Sequence, residues 1–428
     1  MLDNSKKMSG KLKDSSKNIG INKIVMFLLA SFPILNIYVT PFILSWGEVF
    51  FISMMIVCYL RDKRNIFNFP KWYFAFWIYV SFMYLLLSLS EFRLGVLIPG
   101  GFNFFLFSLI LGFVISHFDY PSFRKYYRSL FFISFAVLVA QEIAYNLMGF
   151  RFSAMIPFGE LKDGYSMEEL IADQTKSYTD RSSSIFREPA HMAQYILPLL
   201  AIELYDDSKK RIFSPMSILL MISLLTLRSG NGIVGMALLV GIKFVYFIIR
   251  ERTKNKFLVI SLAVLIGGMA LTYYVSSEAG QSVLDRSEDL ENEEDAHSFV
   301  RIYRGWRLYA EMPIVYQMIG ATKTIINATI PQTSASMLFL GDDSDNLYFN
   351  GMQTTFLYNG LFGTFLLLLI YIRLYKKNTI LGKALIWMLL VLSLIASTYI
   401  TSVMLFCTSI AEIEKHRRNE KNSLLYKT

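Results

Sequence analysis

The sequence has few charged residues. Asp, Glu, Lys and Arg make up only 18% of its 428 residues, whereas ordinary globular domains carry about a quarter. In their place, 54% of the residues are hydrophobic and 15% are aromatic. This composition is typical of a polytopic membrane protein rather than of a soluble domain.

Cysteine and histidine are also scarce. Cys58 and Cys407 both lie in apolar segments, so they predict neither a disulfide framework nor a thiolate metal site. The four histidines are scattered and form no HxxxH or HExxH pattern, and we expect no metal and no cofactor. The P-loop motif is absent as well, and we expect neither ATP hydrolysis nor dinucleotide binding.

Apolar runs divide the rest of the chain. Residues 1–23 are polar and lysine-rich and predict a cytoplasmic tail, since no small-residue cleavage site follows the first apolar run. Runs near the roughly 20 residues that cross a bilayer core predict spans at about 24–39, 42–60, 72–90, 97–116, 129–148, 190–205, 214–228, 232–249, 257–276 and 350–372. The run 384–411 is too long for one span and predicts a helical hairpin that turns near Ser397 and Thr398. We therefore expect an all-α transmembrane domain over 24–411 with about twelve helices, or eleven as the alternative.

Lys and Arg cluster in alternate connections, starting after the second and fourth predicted spans. The positive-inside rule then places the N-terminus, and the basic tail 412–428, in the cytoplasm. The net charge of +9 follows this topology and does not indicate nucleic-acid binding. Two external connections, about 149–189 and 277–349, are long, and long loops are usually functional or disordered. We expect the chemistry on the external face.

The second long connection contains an amphipathic pattern over residues 298–313. Aromatic and aliphatic residues, Trp306 among them, recur at helical spacing, while Arg301, Arg304 and Arg307 step three apart along an adjoining face. Such a helix at the membrane surface can simply anchor to lipid headgroups. Its guanidinium groups can instead clamp a diphosphate, because the planar fork of arginine binds phosphate oxygens in pairs. External arginine clusters are unusual, which favours the clamp.

A second charged run, residues 181–195, enters a predicted span without a linker. Pro189 fits the first helical turn, where its missing N–H costs nothing. Glu188 can complement the helix dipole and Arg187 can reach lipid headgroups, or both can line a site at the water–lipid boundary. His191, one turn into the helix, is either an interfacial histidine or part of that site.

Carboxylates form the third group of candidates. Asp345 and Asn346, with Tyr348 close behind, precede a predicted span and can cap its helix or direct a carboxylate into a cavity. Glu48 and Glu142 lie on predicted spans, where ionisable groups are functional candidates by default.

These segments together resemble the O-antigen polymerase and O-antigen ligase superfamily of bacterial envelope proteins. In family order the motifs are Arg181…Ile185-Phe-Arg-Glu-Pro189…Ala193, Leu225-Thr-Leu-Arg228-Ser-Gly230, Arg301…Trp306…Met312-Pro313…Gly320, and Asp345-Asn346-x-Tyr348…Gly360-Leu-Phe-Gly363. The similarity covers roughly residues 180 to 375. It implies a GT-C-like helical glycosyltransferase of the bacterial cytoplasmic membrane, with short amphipathic helices in its external loops.

Two departures favour the polymerase over the ligase. Ligases of this group usually carry a histidine directly before the Asn of the fourth motif, where this chain has Asp345. Many members have Gly-x-Gly after the third motif, where this chain has Ile319-Gly-Ala-Thr322. A flippase or other transporter is the alternative outside the enzymes, but we see no matching halves in the chain.

The resemblance implies transfer between two undecaprenyl-diphosphate-linked oligosaccharides, the donor and the acceptor, without a metal and with inversion. Arg187, Arg301 and Arg304 are expected to stabilise the diphosphate leaving group. Asp345 or Glu188 is expected to accept the proton of the acceptor hydroxyl. Further substrate-binding candidates are Arg181, His191, Arg307, Trp306, Asn346, Tyr348 and Glu142. Membrane lipid is a second expected partner, and a chain-length regulator protein is a third candidate.

Overall fold

The computed structural model describes residues 20–41, 44–61, 67, 71–90, 94–150, 152–155, 160–161, 181–205, 213–250, 297–334, 349–376 and 378–425. The predicted span 257–276 lies outside these ranges. So do Asp345, Asn346 and Tyr348 of the fourth motif, and the first nineteen residues of the predicted N-terminal tail.

Helices dominate the described residues. They are α1 (Gly20–Leu35), α2 (Trp46–Arg61), α3 (Lys71–Ser90), α4 (Leu94–His117), α5 (Tyr120–Met148), α6 (Pro189–Leu204), α7 (Pro215–Thr226), α8 (Gly230–Arg250), α9 (His297–Glu311), α10 (Ile314–Ile319), α11 (Lys323–Thr329), α12 (Gly351–Lys376), α13 (Ile380–Ile395) and α14 (Ser402–Leu425). A 3-10 turn, Ile330–Gln332, follows α11. Two short strands, β1 (Tyr38–Val39) and β2 (Glu160–Leu161), pair antiparallel, with Tyr38 opposite Leu161.

The helices carry the length and the exposed apolar surface of membrane spans. Within the described ranges, α5, the Gly230–Phe247 part of α8, and α12 are long and apolar enough to cross a membrane, and α1, α7 and α13 are shorter apolar helices. Large apolar side chains point outward, such as Ile133 on α5 (57% exposed) and Phe365 on α12 (58% exposed). Many exposed large apolar side chains on helices of this length are typical of contact with lipid or protein. The chain is an α-helical membrane protein.

The chain forms two compact units. The first contains Met1–Lys71, Phe105–Asp180 and Ser184–Arg187. The strand pair lies over a small apolar cluster of Tyr38, Met155 and Leu161. Because Tyr38 and Val39 pair with β2, α1 ends before them, at Leu35, and the predicted span 24–39 is too long at this end.

The second unit contains Trp72–Phe104, Arg181–Ser183 and Glu188–Thr428. Its central helix is α6, which is buried on all sides from Met192 to Leu204 and contacts α7, α8, α13 and α14. The predicted hairpin at the C-terminal end is confirmed, since α13 ends at Ile395 and α14 starts at Ser402.

Residues Leu227–Ser229 connect α7 to α8. The run that follows them, Gly230-Asn-Gly-Ile-Val-Gly235, has the GxGxxG spacing of dinucleotide-binding turns. It follows a helix and not a strand, so it lacks the context that this motif requires. Two of its glycines serve helix packing instead: a Cβ on Gly232 would lie 3.0 Å from Ala193 Cβ, and one on Gly235 would lie 2.5 Å from Leu197 Cδ1, so α8 approaches α6 closely.

Candidate functional site

The amphipathic segment predicted over residues 298–313 is helix α9, His297–Glu311. Its apolar side packs on α12 rather than facing lipid. The Trp306 and Tyr309 rings meet the Phe356 ring edge-on, with centroids 5.2 and 5.4 Å apart. Leu308 is fully buried in a cluster with Leu357 of α12. A large share of the apolar side of α9 is therefore used to fix the helix on the protein.

Arg304 lies over the start of α12. Its guanidinium carbon is 5.9 Å from the centroid of the Phe349 ring, a cation–π distance. The neighbouring Gly305 allows this approach, because a Cβ there would lie 2.6 Å from Gln353 Cδ. Arg301 lies one turn earlier on α9. The helix thus holds Arg304 beside the N-terminal end of a membrane-length helix.

The first turn of α12 is closed by a reciprocal capping pair. Gln353 N–H donates to Asn350 Oδ1 at 2.8 Å, and Asn350 N–H donates to Gln353 Oε1 at 3.2 Å. Asn350 therefore caps α12. Asp345 and Asn346 lie outside the described residues, so both roles suggested for them, a helix cap and a part of the site, remain predictions.

Arg307 makes different contacts from Arg304. Its Nε–H donates to Ser334 Oγ at 2.7 Å and lies 3.4 Å from Glu311 Oε1. Ser334 in turn donates its hydroxyl to Glu311 Oε1 and its N–H to Glu311 Oε2. These Ser334 hydrogen bonds, with a smaller effect of Arg307, lower the pKa of the Glu311 carboxyl. The three residues fasten the end of the 3-10 turn to α9.

The third and fourth motifs meet at two glycines. Gly320 has φ +93°, and Gly360 inside α12 has φ 63° and ψ −173°, which interrupts the helix. A Cβ on Gly320 would lie 2.3 Å from Tyr358 O, and a Cβ on Gly360 would lie 2.4 Å from Gly320 N. Ala321 N–H donates to Leu357 O at 2.8 Å. The segment after α10 therefore docks, backbone against backbone, into the break of α12.

Polar side chains surround this break. The Asn359 side-chain amide donates to the Tyr399 hydroxyl oxygen at 2.9 Å, and that hydroxyl lies 3.1 Å from Asn359 Oδ1. Tyr79 of α3 donates its hydroxyl to Asn359 O at 3.1 Å. Breaks of this kind are tolerated in membrane helices where neighbouring groups satisfy the freed backbone.

In the first motif, Ser184 is fixed by hydrogen bonds to side-chain and backbone groups of α5. In the first unit, Ser184 adopts φ 56°, and its N–H and Oγ–H donate to Gln141 Oε1 (2.8 Å) and Ser134 O (2.6 Å). Gln141 also donates to Phe152 O at 2.8 Å. Of the Gln141–Glu142 pair, it is Gln141 that is buried, whereas Glu142 is half-buried. The sequence patterns did not predict that Gln141 holds the Ser184 turn. The signal that could have indicated it is a polar amide on an otherwise apolar face of α5.

Pro189 opens α6, as predicted. Glu188 is the residue before it, in extended conformation (φ −138°, ψ 152°), and its carboxylate makes no capping bond to the helix. Glu188 and Arg187 are half-buried, and His191 is exposed. Arg181, also half-buried, belongs to the second unit, whereas Arg187 and Glu142 belong to the first.

The structure groups only part of the predicted site. Arg301, Arg304, Trp306 and Arg307 share α9, and Glu188 and His191 share the start of α6. Glu48 closes a capping pair at the start of α2, since its Oε2 accepts Ser45 N–H at 2.7 Å, which gives it a structural role. Among the described residues, no three His, Cys, Asp or Glu side chains are grouped so that they could hold a metal.

No known protein family, curated protein or solved structure matches this chain. The resemblance to the O-antigen superfamily therefore remains a prediction from the motifs. The geometry at α9 and α12 provides the physical argument for function.

Proposed function

We propose that this protein polymerises undecaprenyl-diphosphate-linked oligosaccharide repeat units into a surface polysaccharide, O-antigen or capsule, at the external face of the bacterial cytoplasmic membrane. In this proposal both termini are cytoplasmic and the fold is of the GT-C-like class with about twelve spans. One observation carries the proposal. Helix α9 holds Arg304 beside the N-terminal end of a helix long and apolar enough to cross a membrane, and in this proposal the diphosphate of the lipid-linked sugar binds at that end.

The chemistry follows from the leaving group. The bond between the anomeric carbon and the donor diphosphate breaks, and a new bond forms between that carbon and a hydroxyl of the acceptor repeat. A diphosphate leaves without being protonated, so the main requirement is to stabilise the charge that accumulates on it. Arg304 and Arg301 supply this stabilisation, since fixed cations in a water-poor site need no reorganisation during the reaction. Direct displacement inverts the anomeric centre.

The proton of the acceptor hydroxyl passes to a carboxylate. Glu188 is supported by its geometry, because its carboxylate makes no capping bond and stands half-buried at the start of α6. Asp345 is the second candidate base, and the exposed His191 is the third. Arg187 is the further candidate for diphosphate binding from the first motif.

Arg307 takes a supporting role in this proposal. Its Nε–H is used by Ser334 and its charge faces Glu311, so it is less suited to neutralise a phosphate than Arg304. It acts by fixing α9 against the segment that docks into α12. The substrate contacts of Arg181, Trp306, Asn346 and Tyr348 remain predictions.

Deletion of the gene in a strain that makes the polysaccharide tests the proposal. The glycan is separated by size, and its carrier is identified. Single repeat units on the final acceptor support the polymerase. Full-length polymer that stays on the lipid carrier would show a ligase instead, and lipid-linked single repeats that accumulate at the cytoplasmic face would show a flippase.

A further inference from the structure

Helix α10, Ile314–Ile319, turns two large apolar side chains outward. Ile314 is 67% exposed and Val315 is 58% exposed. The other side of this short helix packs on the protein, since Ile319 lies against the apolar cluster that contains Leu357. Aliphatic side chains on an external loop would meet water, which is unfavourable. The position of α10 along α12 decides which medium they meet.

Contacts at both ends of α10 fix its level along α12. Arg304 lies beside the start of α12, whereas the Tyr309 ring, further along α9, meets the Phe356 ring. At the other end of α10, Gly320 closely approaches the carbonyl of Tyr358. Phe356 and Tyr358 lie about 8–11 Å beyond the first residue of α12, at about 1.5 Å per residue. Helix α10 is therefore attached inside the ends of a membrane-length helix.

The far end of α12 gives one measure of depth. Arg373 lies over the Trp72 ring of α3, with its guanidinium carbon 4.4 Å from the ring centroid. A tryptophan and an arginine at the end of a span are typical of the membrane–water interface. Tyr358 lies fifteen residues before Arg373, which is about 22 Å along the helix. A hydrocarbon core of about 30 Å, measured from Arg373, therefore extends beyond Tyr358.

The near end of α12 gives a second measure, which agrees. Gly351 N–H, at the start of α12, donates to Ala396 O, just after α13, at 2.7 Å, so the two helix ends lie level. Leu394 of α13, two residues before that level, is 46% exposed. Beyond the contact with α10, Leu361 and Phe362 of α12 are 45% and 50% exposed. Exposed apolar surface therefore lies on both sides of the level of α10.

The polar groups of the corner between α9 and α10 are bonded within the segment. The Gln317 side-chain amide donates to Ala310 O at 3.0 Å and to Met312 O at 2.7 Å. Pro313 has no N–H, and its carbonyl accepts the N–H groups of Tyr316 and Gln317 at 2.9 and 3.1 Å. A segment that enters hydrocarbon must satisfy its backbone groups internally, and these bonds meet that requirement.

A charged group limits how deep the corner lies. Glu311 is exposed and is held by Ser334 and Arg307. An ionised side chain is costly at the centre of a bilayer and is tolerated where it reaches the interface. Because Glu311 lies only three residues before Ile314, α10 belongs at the edge of the hydrocarbon core and not at its centre.

From these observations we infer that α10 enters the leaflet around the start of α12 and that Ile314 and Val315 contact lipid acyl chains. The partner of this surface is the hydrocarbon of the bilayer, because exposed apolar side chains lie on both sides of its level, at Leu394 and at Leu361. Helix α9 is thus held by α12 along its apolar side and by the membrane at its C-terminal end. The inference does not rest on the proposed function.

Fluorescence quenching tests the inference on the full-length protein in lipid nanodiscs. The buried Cys58 and Cys407 are replaced by alanine, and one cysteine is introduced by Ile314→Cys or Val315→Cys for labelling with a small fluorophore. Both positions are exposed, so the label should not disturb packing. One quencher is phosphatidylcholine with a nitroxide near the headgroup end of its acyl chain, and the other is iodide in water.

Two reference positions calibrate the quenching. Phe365→Cys places the label on the outward-facing side of α12, where Phe365 is 58% exposed, and Lys323→Cys places it at an exposed charged position of α11. We expect the nitroxide lipid to quench the labels at residues 314 and 315 several-fold more than the label at residue 323. We expect iodide to quench them several-fold less. The monodispersity of each labelled variant is checked first.

Three results would overturn the inference. Iodide quenching as strong as at residue 323 would place Ile314 and Val315 in water. Protection from both quenchers would show that protein, such as a second copy of this chain, covers them. Stronger quenching by a nitroxide at the methyl end of the acyl chain than by one at the headgroup end would contradict the position at the edge of the core. Polysaccharide length does not enter this test, so a failure of the proposed polymerase leaves its result intact.

Discussion

The backbones of Gly320 and Gly360 are in direct contact: a Cβ added to Gly360 would lie 2.4 Å from Gly320 N. Both residues have positive φ angles, +93° and +63°. Gly320 directly follows α10, and Gly360 interrupts α12. This contact fixes the segment that follows α9 and α10 against α12.

Gly360→Ala should destabilise the protein strongly. The added methyl group meets backbone atoms that cannot move aside, and the positive φ costs about 1–3 kcal/mol for a residue other than glycine. The matched control is Gly241→Ala in α8, where nothing lies within 4 Å of the added atom; helix propensity there favours alanine by about 0.5–1 kcal/mol. Thermal unfolding in detergent compares the two variants. Equal melting temperatures would contradict the packing argument.

Arg304→Ala should lower polymerisation by about 10²–10³-fold if Arg304 stabilises the leaving group, the usual effect of losing one such donor. Arg304→Lys should restore only part of the activity, because an ammonium group cannot bind two phosphate oxygens as a guanidinium does. The control is Lys323→Ala, which removes an exposed cation from α11. Polysaccharide length on gels is the readout, with membrane protein levels measured in parallel. Full-length polymer from Arg304→Ala cells would exclude this role.

The hydrogen bonds from Ser334 to the Glu311 carboxylate should weaken in acid. These hydrogen bonds lower the pKa of the Glu311 carboxyl below its ordinary value of 4.5. The ionised form is thus favoured in the folded state, so its stabilisation is complete above the ordinary pKa and is lost as pH falls through the lowered value.

Hydrogen exchange at the Ser334 amide measures this effect. After correction for intrinsic rates, exchange should accelerate as the pH falls below the ordinary pKa of 4.5 in the natural protein and should lose this pH dependence in Glu311→Gln. The amide of Ile326, which donates to Thr322 O, serves as the internal control because no carboxylate accepts its hydrogen bond. Unchanged protection of the Ser334 amide as the pH falls would show that its hydrogen bond to Glu311 does not depend on ionisation of the Glu311 carboxyl.

Asn359 and Tyr399 should be energetically coupled. Asn359 is 2% exposed and exchanges hydrogen bonds with the Tyr399 hydroxyl. Asn359→Ala should cost about 1–3 kcal/mol, since it leaves buried polar groups unpaired. A double-mutant cycle with Tyr399→Phe should give a coupling of about 0.5–3 kcal/mol. Additive effects would mean that the pair does not act together.

Hydrophobic pattern predicted much of the architecture. The hairpin around Ser397 and the helix start at Pro189 were predicted from run length and from proline, because apolar runs of fixed length are required by the bilayer. The helix over residues 298–313 was predicted from periodicity. Its packing partner was not, since the same pattern describes a helix that faces lipid and one that faces another helix.

The break in α12 could not be predicted in the same way. Gly360 lies in an apolar run that is long enough for a regular span, and glycine is common in such helices. Only the approach of Gly320, forty positions earlier, makes its backbone leave the helix. The Gln141–Ser184 hydrogen bond is similar, because it joins residues that are distant in sequence and depends on a turn that hydropathy does not report.

The docking of Ala321 on Leu357 has a consequence for chimeras between homologous chains. Leu357 O, inside a membrane helix, accepts its hydrogen bond from the surface segment, so that segment completes the helix. The region from α9 to the 3-10 turn is therefore not an exchangeable loop. A graft of residues 297–334 from another protein will be accepted only if the break at Gly360 is transferred with it, and the two pieces form one module.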